Sequence, residues 1–355
     1  MSLTLTISDN FRVRKIDFFN EFAFDLRYDS IGSGFSLSFF FDPNNDEHKA
    51  LASPVKYSTA VIGFNDETLL TGTILDFRFK HNSETNLCVI SGATKTGVLE
   101  RVQVPPKLYP LQSIGLSLRQ IATKLIAPFG IEMIVDSSVA VKMDKAFKSS
   151  TADQSQSIGS FLVSLAKQKD IVITHDELGR LLFTSANTAG TPILEFDGNQ
   201  PMMPGISFDL SHKGSQMHSE ITVMKQASAS GGNAGQQTII NPYVSQSYYS
   251  PSVKTQTSGT DNETISAVKR ELAAELQGLV LEINTDRWLI DGKIIKPNNT
   301  ISIVDPNLYL YTKSTWFIES ISYQGNEKET TASIKCVIPE VYNGETPVPF
   351  FDNEI

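Results

Sequence analysis

The sequence predicts a mainly β protein with an α+β insert: two similar antiparallel β-barrels flanking an α+β domain. Three observations carry this. Apolar residues alternate through the N-terminal part, they recur at helical spacing after Pro105-Pro106, and the C-terminal part repeats the strand order of the N-terminal one.

The first barrel is expected over 1–105. "GFSLSFFFD" places Phe35, Leu37 and Phe39 on one face. "VIGFNDETLLTGTILDFRF" reads as a hairpin turning at Asn65-Asp66, and its second arm spaces Leu75, Phe77 and Phe79 by two. "NLCVISG" continues the meander, and strands over 192–226 are expected to complete the barrel.

The α+β insert is expected over 106–191. Leu118, Ile121, Ala122 and Leu125 share one helical face, Ser117 and Gln120 make a capping box, and Pro128 ends the helix. A second helix carries Phe161, Leu162 and Leu165. "DIVITHDELGRLLFT" then forms a hairpin with Asp176 to Gly179 as its turn.

From 227 to 262 the small, polar residues of "ASASGGNAGQQ" predict a flexible loop. Tyr243, Tyr248 and Tyr249 interrupt it and are the candidate interface residues, since tyrosine offers amphipathic contact area; the alternative is a loop packed on its own domain. The second barrel is expected over 263–345 with one helix. Thr260 and Glu263 cap that helix, and Ile265, Val268, Leu272 and Leu276 form its apolar stripe. "DGKIIKPNNTISIVD" (Asp291 to Asp305), "STWFIESISY" and "TASIKCVIPE" supply strands, with Trp288 and Trp316 in buried strand contexts. Residues 346–355, Pro-broken and acidic, are expected to be a mobile tail.

Composition narrows the function. With 30 basic and 39 acidic residues the chain carries a net −9 and a pI near 5.1, which disfavours a nucleic-acid binder or an anionic membrane surface as partner. Cys88 and Cys336 lie far apart in apolar runs and read as buried structural thiols. The N-terminus has no signal-peptide pattern and no apolar run reaches the ~20 residues that span a bilayer, so folding in a reducing cytoplasm is expected.

Motifs for chemistry fail on inspection. "GATKTG" (Gly92 to Gly97) has phosphate-loop spacing, but Val98-Leu99 follow where Lys-Ser/Thr would be required; a turn is expected. Ser8-Asp9-Asn10, Lys95-Thr96-Gly97 and Ser164-Leu165-Ala166-Lys167 spell the elements of penicillin-reactive serine enzymes in the reverse order. His48, His81, His175, His212 and His218 show no metal spacing and read as solvated loop histidines. No catalytic, cofactor-binding or metal-ligating residue is assigned.

An internal repeat is present instead. "AVIGFND…LLTGTILDFRF…NLCVISG" and "ISIVDPN…WFIESISY…SIKCVIPE" each run strand, turn, strand, hairpin, and a strand containing Cys-Val-Ile. With "VISGATKTGVLERV", "LRQIATKLIAPFGIEMIV", "SFLVSLAKQKDIVITHDELGRLLF" and "INTDRWLIDGKIIKPNNTISIVD", the chain resembles the baseplate hub proteins of phage tails. That group includes Mu-type hubs, the late control protein D family and the N-terminal part of type VI secretion spike proteins. Ala93 follows Gly92 where the family commonly has an arginine. The resemblance implies a non-enzymatic homotrimer whose six barrels form a pseudo-sixfold ring. That ring would join the hexameric tail tube protein to the trimeric central spike, beside other baseplate proteins. DNA would be met only in transit, with no cofactor and no stable membrane association. Its place would be the virion tail baseplate, assembled in the bacterial host cytoplasm. The alternative is a glycan- or receptor-binding β-protein at the tail tip.

Overall fold

Alternating burial is the rule along the first strands of the computed structural model, which describes residues 3–8, 13–16, 19–65, 67–108, 115–147, 155–201, 203–225, 235–256, 261–290, 292–326 and 328–351. The chain divides into two units. Unit 1 holds residues 1–185, 286–295 and 320–332, and unit 2 holds 186–285, 296–319 and 333–355.

Unit 1 begins with β1 (Leu3–Ser8), β2 (Val13–Ile16), β3 (Glu21–Arg27), β4 (Gly34–Phe40), helix α1 (Asp46–Leu51), β5 (Thr59–Phe64), β6 (Glu67–His81) and β7 (Asn86–Thr94). Phe35, Leu37 and Phe39 are buried on one face of β4, as their spacing predicts. The Asn65 turn has φ +46°, a left-handed conformation that Asn tolerates; Asp66 lies outside the described residues. β6 is bulged between Ile74 and Asp76, and beyond the bulge Phe79 is 46% exposed.

The α+β block follows: α2 (Val98–Arg101), α3 (Leu118–Ile126), β8 (Met133–Val135), α4 (Ala140–Asp144), α5 (Ile158–Lys167), β9 (Val172–His175) and β10 (Leu181–Thr184). The α3 capping box forms as spelled, with Ser117 and Gln120 exchanging side chain and backbone. Leu118, Ile121, Leu125, Phe161, Leu162 and Leu165 share one buried cluster. At the β9–β10 turn Gly179 takes φ +73°, and Asp176 Oδ1 accepts from the backbone N–H groups of Leu178 and Arg180.

Unit 2 holds β11 (Leu194–Asp197), β12 (Ile206–His212), β13 (Glu220–Lys225), β14 (Gln236–Ile240), β15 (Pro251–Gln256), α6 (Asp261–Leu276) and β16 (Leu279–Thr285). The short pair β17 (Leu289–Ile290) and β18 (Lys293–Ile294) returns to unit 1. β19 (Thr300–Asp305), β20 (Leu310–Asn326), β21 (Thr330–Val337) and α7 (Glu340–Asn343) complete the chain; β20 is shared, residues 320–326 counting with unit 1.

The structure departs from four expectations. Residues 192–226 do not complete the first barrel: they lie in unit 2, where β11 pairs parallel with β19. The segment expected as a loop contains β14 and β15, paired on either side of β13, because ladder hydrogen bonds come from backbone and need no apolar alternation; 226–234 and 257–260 lie outside the described residues. In α6, Val268, Leu272 and Leu276 are buried, whereas Ile265 is 41% exposed and Thr264 takes the buried place; Thr260 is outside the described residues. The tail packs through Phe351: Phe350 lies 5.4 Å from the Trp316 ring and 5.5 Å from Tyr243. Residues 352–355 are outside the described residues.

The two units repeat one strand order. In unit 1 neighbours run β1-β5-β6-β7-β4-β3, and in unit 2 they run β11-β19-β20-β21-β16-β12. The sequence echo falls on matching strands, with Cys88 in β7 and Cys336 in β21. The repeat is imperfect at one edge, since β1 meets β5 antiparallel and β11 meets β19 parallel.

Candidate assembly surface

The three tyrosines do not form one patch. Tyr243 is buried in the aromatic cluster with Phe350 and Phe351, and its N–H donates to Asn241 Oδ1 at 3.0 Å. Tyr248 and Tyr249 are 65% and 75% exposed. The Tyr249 hydroxyl donates to Glu220 Oε1 at 3.3 Å, across from Ile240, itself exposed at the end of β14. Tyr243 is therefore core, and only Tyr248 and Tyr249 present contact area.

The tryptophans are interior. Trp288 sits between Phe22, Phe24, Phe64 and Tyr323 in unit 1, with its indole N–H shared between the carbonyls of Gln324 and Thr331. Trp316 is fully buried in unit 2 and donates to Ser314 Oγ at 3.0 Å.

The motifs that spell chemical elements are structural. Ser164 Oγ donates to Phe161 O within α5. "KTG" is one 3-10 turn running into α2 rather than a turn between strands; Thr96 Oγ1 is buried there and donates to Ile31 O at 2.6 Å. Gly32 and Gly97 meet so closely that a Cβ on Gly32 would lie 2.8 Å from the Gly97 Cα. Both thiols are buried and free; burial pushes Cys88 up to about 12 and Cys336 up as well, aided by Glu319, so neither is a ready nucleophile. Among the described residues no three His, Cys, Asp or Glu stand close enough to hold a metal, and no helix is long and apolar enough to cross a membrane.

His175 departs from the solvated reading. It ends β9, where its Nδ1–H donates to Asp176 O at 3.1 Å and its Nε2 accepts from Ser33 Oγ at 2.7 Å. Ser33 Oγ also accepts from Arg27 N–H, while the Asp176 carbonyl at Nδ1, which can only accept, sets the tautomer of the neutral ring. Burial holds this imidazole below its ordinary pKa, against smaller opposing pulls from Asp176, Glu177 and Glu100. Thr174 Oγ1, one residue earlier, lies 3.1 and 3.2 Å from the carbonyls of Arg27 and Ser30.

Two sheet edges that are unpaired among the described residues are not legible from alternation. β12 has β16 on one side and no strand on the other among the described residues. Among the described residues, 76–81 of β6 have β7 on one side only, because β5 stops at Thr59 opposite Thr73. Beside β12 a cavity of about 350 Å³ opens between Phe196, Ile206, Phe208 and Met203, rimmed by Glu195 and Asp197. Unpaired edges are the places where sheet proteins receive other chains.

Residues 107–185 match the model of the second domain of gp44-like baseplate hub proteins. No curated protein matches the chain in sequence. Among solved structures, the prophage MuSo2 43 kDa tail protein from Shewanella oneidensis is similar with a TM-score of 0.77 and 18% identity, over 97% of this chain and 100% of that one. A tail protein from Neisseria meningitidis MC58 gives 0.78 at 14% identity, over 98% and 99%. An E. coli protein described as a component of the type VI secretion system, and as structurally similar to the T4 tail proteins gp27 and gp5, gives 0.54 at 11% identity, over 98% and 80%. The chain has the fold of these tail and type VI proteins, and its α+β block is similar to the second domain of gp44-like phage baseplate hubs.

Proposed function

We propose that the chain is the structural hub of a phage or phage-like tail baseplate, three copies of which close a ring of six β-units. The ring joins a hexameric tail tube to a trimeric central spike and leaves a channel for DNA. The observation that supports this most is the repeated strand order of the two units, since one chain with two like modules gives a threefold ring near-sixfold symmetry. The role needs regular backbone and matched edges rather than reactive groups, in keeping with buried thiols and Trp288 and Trp316 held in the core. It places the protein in the virion baseplate, assembled in the host cytoplasm, with tube, spike and other baseplate proteins as partners. A glycan- or receptor-binding role at the tail tip would call for an exposed aromatic platform, which the interior tryptophans do not supply.

The test is electron microscopy of the purified chain mixed with the spike protein and with the tube protein of the same gene cluster. Closed rings capping either partner are expected. Absence of rings with both, from folded protein, removes the hub reading.

A further inference from the structure

Strand β3 in unit 1 has two neighbours. One edge carries β4, and the other takes residues 320–326 of β20, antiparallel, with Ile321 opposite Leu26, Ser322 opposite Asp25 and Tyr323 opposite Phe24. Ser322 Oγ donates to Asp25 Oδ1 at 2.6 Å across this ladder.

β12 holds in unit 2 the place that β3 holds in unit 1, and its outer edge is bare among the described residues. β6 holds the place of β20. Residues 76–81 begin three positions beyond Thr73, which faces Thr59, just as residue 320 begins three beyond Phe317, which faces Thr300. In β20 that stretch is covered by β3; in β6 it is covered by nothing among the described residues. One copy therefore carries both halves of a ladder that it completes only once.

We propose that Asp76–His81 of one copy pairs antiparallel with Ile206–Ser211 of a second copy, repeating between chains the ladder that Ser320–Gly325 and Phe22–Arg27 make within one. The proposal rests on the ring reading above and names the surface that closes the ring. Matching the apolar faces sets the register. Phe22, Phe24 and Leu26 correspond to Ile206, Phe208 and Leu210, and Ile321 and Tyr323 correspond to Phe77 and Phe79.

That register follows from the apolar residues alone, and it also brings charges into agreement. Arg78 falls opposite Asp209, at the position where Ser322 meets Asp25, and both side chains are exposed. Directly opposed charges of unlike sign stabilise an antiparallel pair, whereas a one-residue slip would put Arg78 against the apolar face. Phe79, 46% exposed, falls opposite Phe208, whose half-buried ring lines the open cavity beside Phe196. The contact is heterologous: each copy gives one edge and receives on another, which closes a ring when the rotation closes. It also covers a seven-residue edge strand, β12, that has no proline or lysine to guard it.

Cysteine pairing tests the register in tail particles, or in the complex assembled from co-expressed tail proteins. The Cα atoms of directly opposed residues in an antiparallel pair lie about 4.5–5.5 Å apart, within disulfide reach, while diagonal neighbours lie about 7–8 Å apart and outside it. The double variant Arg78→Cys/Asp209→Cys is expected to give covalently closed trimers on mild oxidation, and Arg78→Cys/Ser211→Cys to give none. Arg78→Asp and Asp209→Arg are each expected to reduce assembly at least tenfold, and to restore it when combined. Particles that hold three copies but cross-link in neither variant, or equally in both, overturn the strand pairing and leave the ring standing. Particles without three copies overturn both.

Discussion

Ser33 Oγ donates to His175 Nε2 across 142 residues of sequence, tying the β9–β10 hairpin to the turn that follows β3. The Nδ1–H of the same ring donates to the Asp176 carbonyl, which can only accept, so in the neutral imidazole Nε2 is the acceptor that the Ser33 hydroxyl meets.

A pH dependence follows. The unfolded chain takes a proton on this histidine near its ordinary 6.5, while burial lowers the folded pKa, so between those two values the unfolded state binds more protons. The stability is whole above about pH 6.5 and is lost as pH falls below it toward the folded pKa. Thermal melts between about pH 7 and 5 are expected to show a falling Tm, with a shallower slope in His175→Gln. An identical slope in the variant would assign the pH dependence to other groups.

Removal of the indole at the centre of the unit 1 aromatic cluster is expected to be severe. Trp288→Ala leaves a void between Phe22, Phe24, Phe64 and Tyr323 and deprives two carbonyls of their donor. A loss of about 3–5 kcal/mol is expected in denaturant unfolding.

Helix α6 separates two residues that look equivalent as letters. Leu272 is 1% exposed and Ile265 41%. Leu272→Asp buries an unpaired carboxylate at a cost on the order of several kcal/mol and is expected to unfold unit 2, whereas Ile265→Asp is expected to fall within about 0.5 kcal/mol of wild type. Limited proteolysis with circular dichroism distinguishes the two.

Close strand approach makes Gly92 a sensitive position. A Cβ there would lie 2.2 Å from Thr73 O and 2.5 Å from the Phe35 ring. Gly92→Ala forces β6 from β7 and is expected to cost about 1–3 kcal/mol by urea unfolding.

Element type is legible in the sequence wherever burial is one-sided. Phe35, Leu37 and Phe39 alternate because β4 has one core face, and Ser117 with Gln120 announces α3 because orphan helix N–H groups need acceptors. Pairing is not legible, because alternation says which face is buried and nothing about which strand lies alongside. Hence Leu194–Asp197 gives no sign that it will run parallel to Thr300–Asp305. β14 reads as loop since its ladder is backbone and it opens on the polar Gln236, Gln237 and Thr238, with no apolar alternation. His175 reads as a solvated turn residue because Ser33, which receives it, is 142 positions away. The tyrosines divide for the same reason: Tyr243 finds Phe350 and Phe351, and nothing local distinguishes it from Tyr248.

The most direct measurement is a cryo-electron microscopy reconstruction of the intact tail, refined without imposed symmetry at the junction of tube and spike. Three copies of this chain are predicted, their two like strand modules alternating around the axis in six near-equivalent places. Six copies, a single copy, or modules at unequal radii would contradict the account.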